Sequence, residues 1–240
     1  MEQPADRHSE WFVPRFGPRR FRLAVGLLFL PYTGMVLSYA VFGSVLAPEV
    51  YWDRLGALVL IYFLGLGIAA HALDALGSKG VKPWGSAFSK GQLWLAVVLS
   101  LVLAYGIAGY YMLRYVPLLL VIALLEGFFA FAYNLEWFDG KFHTDGWFAF
   151  SWGFLPVTAG YVMQTNRLSF TVLTVGISAC LFSLIEIKAS RPYKGLKSRS
   201  GALGEEERRL LERYETILKS VSLGVCLLAA GLLLWCITER

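Results

Sequence analysis

The residues best placed for chemistry sit where hydrocarbon should exclude them. The tail of the second long apolar stretch reads Gly67-Ile-Ala-Ala-His71-Ala-Leu-Asp74-Ala-Leu-Gly-Ser78. A carboxylate at the centre of a membrane-spanning helix costs about 2.5–3.5 kcal/mol on insertion scales. Such a group faces a partner, an ion or a wet cavity, which makes it a candidate site. The spacing of Gly67, His71, Asp74 and Ser78 puts all four on one helical face. A helix C-terminus carries partial negative charge and disfavours a carboxylate, so Asp74 calls for a cation. A divalent metal would serve, and so would Lys79 or Lys82. His71 is either an interior hydrogen-bonding residue or part of the same site.

Two further acids share this predicament. Glu126 lies within an apolar run, with Ala130, Tyr133 and Asn134 following at helical spacing in Glu126-Gly-Phe-Phe-Ala-Phe-Ala-Tyr133-Asn134. It either bonds to another helix while the aromatics pack, or walls a pocket whose aromatic faces would stabilise a cation. Glu186 closes a later stretch in Ser183-Leu-Ile-Glu186-Ile-Lys188-Ala-Ser190-Arg191, where Ser183, Glu186 and Ser190 share a face. Pairing with Arg191 or a neighbouring lysine is the plain alternative to a functional role. Asp74 and Glu186 end alternate stretches on the same expected side.

The elements that must position these groups are membrane helices. The chain has 240 residues and is 57% hydrophobic, above the ~45–50% of soluble domains. A span needs about 20 apolar residues, and seven stretches qualify: 23–46, 55–76, 91–113, 115–135, 146–164, 169–189 and 220–237. The expected fold is an all-α polytopic bundle of about seven spans. It divides into an N-terminal segment (1–22), a six-helix membrane core (23–189), a basic loop with an amphipathic helix (190–219) and a seventh helix with the C-terminus (220–240). The run 23–46 is too long for a cleaved signal core and reads as a retained first span.

Lysine and arginine set the orientation. With the N-terminus inside, only Arg54, Arg114, Arg167 and Arg240 fall in outer segments. The net charge of +5 therefore flanks the spans in an orientation pattern and does not indicate nucleic acid. The unusual residues concentrate on the inner side, as for a site opening to the cytoplasm. Residues 191–199 read as a flexible basic segment, and 205–218 as an amphipathic helix with favourable Glu205/Arg209 and Glu215/Lys219 pairs. Cys180, Cys226 and Cys236 show no metal or redox spacing. No nucleotide-binding, HExxH or soluble-enzyme triad motif is present.

Over residues 20–195 the pattern resembles the UbiA superfamily of intramembrane prenyltransferases. Two blocks carry the resemblance: Ala-Ala-His71-Ala-Leu-Asp74, and Tyr133-Asn134-Leu-Glu-Trp through Gly153-Phe-Leu-Pro156-Val-Thr-Ala-Gly160-Tyr161. That family usually has nine spans, with Asp-rich motifs at the cytoplasmic ends of the second and sixth. Those motifs bind magnesium, which holds an isoprenyl diphosphate. The family's first motif, Asn-Asp-x-x-Asp-x-x-x-Asp, is matched here by Ala70, His71, Asp74 and Ser78, and the second by Glu186 and Ser190. One magnesium ion between two acids fits this remnant better than two.

The resemblance implies a set of roles. Asp74 and Glu186 would bind magnesium, with His71 supporting them. Lys79, Lys141, Arg191 and Lys194 would neutralise phosphate oxygens. Glu126, Tyr133 and Asn134 would contact substrate, and Phe128, Phe129, Tyr133 and Trp152 would line an apolar pocket. The implied partners are an isoprenyl diphosphate, a lipophilic acceptor and the bilayer, in a prokaryotic plasma membrane. Two other functions remain open. One is a non-catalytic isoprenoid- or lipid-binding homologue, motivated by the missing acids. The other is a proton- or cation-coupled transporter in which His71, Asp74, Glu126 and Glu186 form the path.

Overall fold

The structure is a computed structural model that describes residues 10–77 and 88–240. Among the described residues every regular element is helical. They are α1 (Arg19–Leu27), α2 (Leu30–Val45), α3 (Trp52–Gly77), α4 (Lys90–Arg114), α5 (Leu119–Asn134), α6 (145–165), α7 (Phe170–Lys197) and α8 (Glu205–Thr238). Helices α3, α4, α7 and α8 are each long and apolar enough to cross a membrane; α1 and α2 together make a fifth candidate bent by 45°. Their outer faces carry Val98, Val102 and Leu103 on α4, Leu181 and Ile185 on α7, and Leu227, Leu234 and Ile237 on α8, all exposed. A soluble monomer does not leave apolar area of this extent in water; hydrocarbon is the medium it fits.

The bend between α1 and α2 has a local cause. Pro31 lacks an N–H and its ring clashes with the carbonyl four residues back. Phe29 there takes a left-handed conformation at φ 44°, and Thr33 Oγ1 donates to Leu28 O at 2.6 Å, satisfying a carbonyl the break frees. The stretch 23–46 is thus two helices rather than one straight span.

Small residues bring the central helices together. A Cβ on Gly43 or Gly160 would overlap backbone across the α2–α6 contact, and one on Gly153 would lie 2.6 Å from Ala179 O on α7. Gly77, at the end of α3, abuts the carbonyl of Asn134 at the end of α5, leaving no room for a Cβ. That contact joins the two helix ends that carry Asp74 and Tyr133. At the opposite end, polar groups tie the chain shut. Gln164 Oε1 accepts from Tyr51 N at 2.8 Å, Arg54 donates to the carbonyls of Met163 and Gln164, and Asn166 Oδ1 accepts from Leu118 N at 2.9 Å.

The segment expected to be a flexible basic loop is helical as far as Lys197, with Pro192 inside the helix. An interior proline costs about 3 kcal/mol. Burial on the far side offsets it: Tyr193 and Ala189 pack with Leu218 of α8, and the Tyr193 hydroxyl donates to Glu10 at 2.7 Å. The expected amphipathic helix and last span are one continuous helix, α8. The i,i+4 pairs Glu205/Arg209 and Glu215/Lys219 form as expected, each at 2.6 Å.

Candidate functional site

Three helix ends and one helix start meet around the Tyr133 hydroxyl. Tyr133 lies in the last turn of α5, its ring stacked on His143 at 4.4 Å, and His143 Nδ1 lies 2.9 Å from the Tyr133 carbonyl. The loop histidine therefore fixes the tyrosine twice. Thr144 caps α6 by accepting from Trp147 N, and Asp145 follows in the first turn, where a carboxylate suits the helix dipole. Asp145 Oδ1 lies 2.9 Å from Arg191 Nε, and its Oδ2 lies 3.4 Å from Lys188 Nζ, both on α7. Arg191 and Asp74 of α3 both act electrostatically on the Tyr133 hydroxyl.

Beneath this cluster runs a closed circuit of rings. Tyr133 meets Phe148 at 5.7 Å, Phe148 stacks on Trp152 at 5.2 Å, Trp152 meets His71 at 5.3 Å, and His71 stacks on Phe29 at 5.4 Å. Lys194 Nζ sits 4.7 Å above Phe29. Lys194 and Arg191 are three residues apart on α7, so that helix closes the circuit with two cations. Tyr32 fills the centre, edge-on to Phe29, Phe148 and Trp152. The left-handed Phe29 and two π-helical segments, Phe63–Ala70 ahead of His71 and Phe150–Phe154 around Trp152, set these rings. Such irregular backbone recurs at functional sites.

The acids expected to act together have different surroundings. Asp74 is exposed, beside Tyr133. Glu186 is 2% exposed, within reach of Lys194, Tyr39 and Cys226, and its Oε1 has no hydrogen-bond partner among the described residues. Magnesium takes oxygen ligands at about 2.0–2.1 Å around one point. Among the described residues no three His, Cys, Asp or Glu side chains gather so as to hold an ion. Asp74 and Glu186 thus bring only two carboxylates, one exposed and one buried, to any ion they would share.

The remaining candidates divide. His71 faces α2, its Nε2 3.5 Å from Thr33 Oγ1, and Gly67 meets the same threonine. Asn134 turns back on its own helix, donating to Ala130 O at 2.7 Å. Lys141 is exposed on the loop between α5 and α6. Lys79, Lys82 and Ser78 lie outside the described residues. Glu126 is away from the cluster; its Oε1 accepts from the Tyr62 hydroxyl at 2.9 Å. Of the four residues expected to line one pocket, Tyr133 and Trp152 belong to the ring circuit, while Phe128 and Phe129 pack with Phe142 beside it.

Sequence reasoning missed Asp145, His143 and Phe29. Thr144-Asp145 before Gly-Trp-Phe is a readable helix start, and Pro31 marks the break that turns Phe29. His143 carries no signal of its own, because only the folded loop lays it on Tyr133. Compared with family models, curated proteins and solved structures, the chain gives no match.

Proposed function

We propose that the chain is an integral-membrane prenyltransferase of the UbiA type. It seats the diphosphate of an isoprenyl diphosphate against Arg191, Lys188 and Lys194 and passes the isoprenyl group to a lipophilic acceptor. In this reading all seven apolar stretches are spans, and the surplus of basic residues puts the Tyr133 end in the cytoplasm. The observation that carries it is the convergence of Arg191 and Lys188 of α7 on Asp145 at the start of α6, at 2.9 and 3.4 Å.

The chemistry follows from the charges. The bond between the allylic carbon and the diphosphate oxygen breaks, and the electron pair leaves on the diphosphate. Guanidinium and ammonium groups stabilise that growing negative charge through charge-assisted hydrogen bonds. A new bond forms between the allylic carbon and the acceptor, which gives up a proton. Asp74, exposed beside Tyr133, is the carboxylate positioned to take it. The isoprenyl tail stays in hydrocarbon, where each buried methylene contributes about 0.8 kcal/mol.

A second reading, binding of the same amphiphile without transfer, draws on the differing surroundings of Asp74 and Glu186. Protein in lipid nanodiscs, given an isoprenyl diphosphate and magnesium, separates the two. Diphosphate release that is lost in Asp74→Ala and Arg191→Ala supports transfer. Binding lost in Arg191→Ala, with no release by the wild type, supports the second reading. Neither binding nor release overturns both.

A further inference from the structure

A hollow in the described structure lies elsewhere, and neither the diphosphate nor the transfer step uses it. It opens between α3, α4 and α5 and holds about 70 Å³. Its walls are apolar, and many are small: Gly65, Ala104, Ala108, Ala123, Ala130 and Ala159. Small residues normally let helices touch, but here they leave space. A Cβ built on Gly65 would meet nothing within 4 Å. The polar groups lining it are Glu126, Tyr62 and Tyr105. The Tyr105 hydroxyl is spent on Ala123 O at 2.8 Å, and Tyr62 donates to Glu126 Oε1. Glu126 Oε2 is fully buried and has no hydrogen-bond partner among the described residues. Seven residues separate Glu126 from Tyr133, about 10 Å along α5, so the hollow is distinct from the Arg191 cluster.

We propose that this hollow is a binding site for a lipid-soluble alcohol, whose hydroxyl hydrogen-bonds with Glu126 Oε2. Oε2 is the polar atom left unmet; burying such an atom is costly, and one hydrogen bond removes that cost. Hydrocarbon walls select an uncharged molecule over a solvated ion. The volume is several times the ~10–15 Å³ that a cavity needs to hold one water. It takes a hydroxyl and its first carbons, and leaves the rest of the chain to lie among lipid tails outside α4 and α5. A carboxylate at this depth is a recurrent mark of intramembrane ligand sites.

The test uses the full chain in nanodiscs, with a long-chain alcohol carrying a photoactivatable diazirine and the diazirine-bearing hydrocarbon of the same length. The hydrocarbon keeps the size but can neither donate nor accept a hydrogen bond. The alcohol should label residues of the hollow about fivefold more than the hydrocarbon does, the worth of one ordinary hydrogen bond. Glu126→Leu should erase that preference. Gly65→Leu should block labelling by both probes, because its side chain grows into open space and leaves the helix contacts intact. Equal labelling by alcohol and hydrocarbon, adducts mapping elsewhere, or labelling unaffected by Gly65→Leu would each overturn the assignment.

Discussion

Arg191 Nε lies 2.9 Å from Asp145 Oδ1, across the α6–α7 contact. The pair is partly solvated, with 47% of the arginine side chain exposed. Exposed pairs of this kind contribute about 0–1 kcal/mol, so its value is in aiming the guanidinium. Arg191→Ala should leave thermal stability nearly unchanged and weaken binding of inorganic pyrophosphate about tenfold or more, from loss of a charge-assisted bond. Arg191→Lys should recover part of that affinity. An ammonium keeps the charge but cannot fork between Asp145 and a phosphate. Calorimetric titration of the nanodisc-held protein reads all three.

Gly77 against the Asn134 carbonyl sets the distance between the ends of α3 and α5. Gly77→Ala should lower stability by about 1–3 kcal/mol, the usual range for overpacking, and slow isoprenyl transfer by moving Asp74 from Tyr133. Gly65→Ala is the control. It sits on the same helix with open space around its Cβ, and should be neutral or stabilising by about 0.5–1 kcal/mol from helix propensity. Thermal unfolding in one detergent compares them directly.

Phe29 holds its ring on His71 through a left-handed backbone at φ 44°. Glycine accepts that conformation freely, whereas an L-residue pays about 1–2 kcal/mol. Both Phe29→Ala and Phe29→Gly should destabilise, because both remove the ring contacts with His71, Tyr32 and Lys194. The glycine variant should be the more stable of the two. The reverse order in unfolding measurements would show that the backbone at this position is not held in the left-handed conformation.

Much of this architecture was legible in the sequence. Period and length marked the helices, because hydrocarbon demands long unbroken apolar runs. Asp74 was visible as a carboxylate that such a run should exclude and Tyr133 by its helical spacing from Glu126, whereas Arg191 and Lys194 were read as loop cations that the resemblance sets against phosphate. The break at Phe29 was half legible: Pro31 inside the stretch 23–46 signals an interruption, but the left-handed turn before it shows only in the fold. Pro192 misled in the other direction: local propensity ends a helix there, but packing of Tyr193 on Leu218 carries α7 through. The partners of the acids were least legible. Asp74 and Glu186 look equivalent as carboxylates near helix ends. Yet one is exposed beside Tyr133 and the other is sealed among Lys194, Tyr39 and Cys226, and helix rotation, which decides this, is not written in spacing alone.

That difference gives the sharpest test of the proposed chemistry. Asp74 lies in the last turn of α3, where the dipole opposes a carboxylate, so Asp74→Asn should stabilise by about 0.3–1 kcal/mol. If Asp74 takes the acceptor proton, the same change should slow isoprenyl transfer about a hundredfold or more, the usual contribution of a general base. Glu186→Gln keeps the size and the hydrogen-bonding capacity of a side chain buried away from solvent. It should leave the rate within about threefold, less than half of the 1.36 kcal/mol that a tenfold change represents. Single-turnover rates of both variants decide the matter. Equal losses would show that the two acids act as one centre; loss in Asp74→Asn alone would place the chemistry at Tyr133.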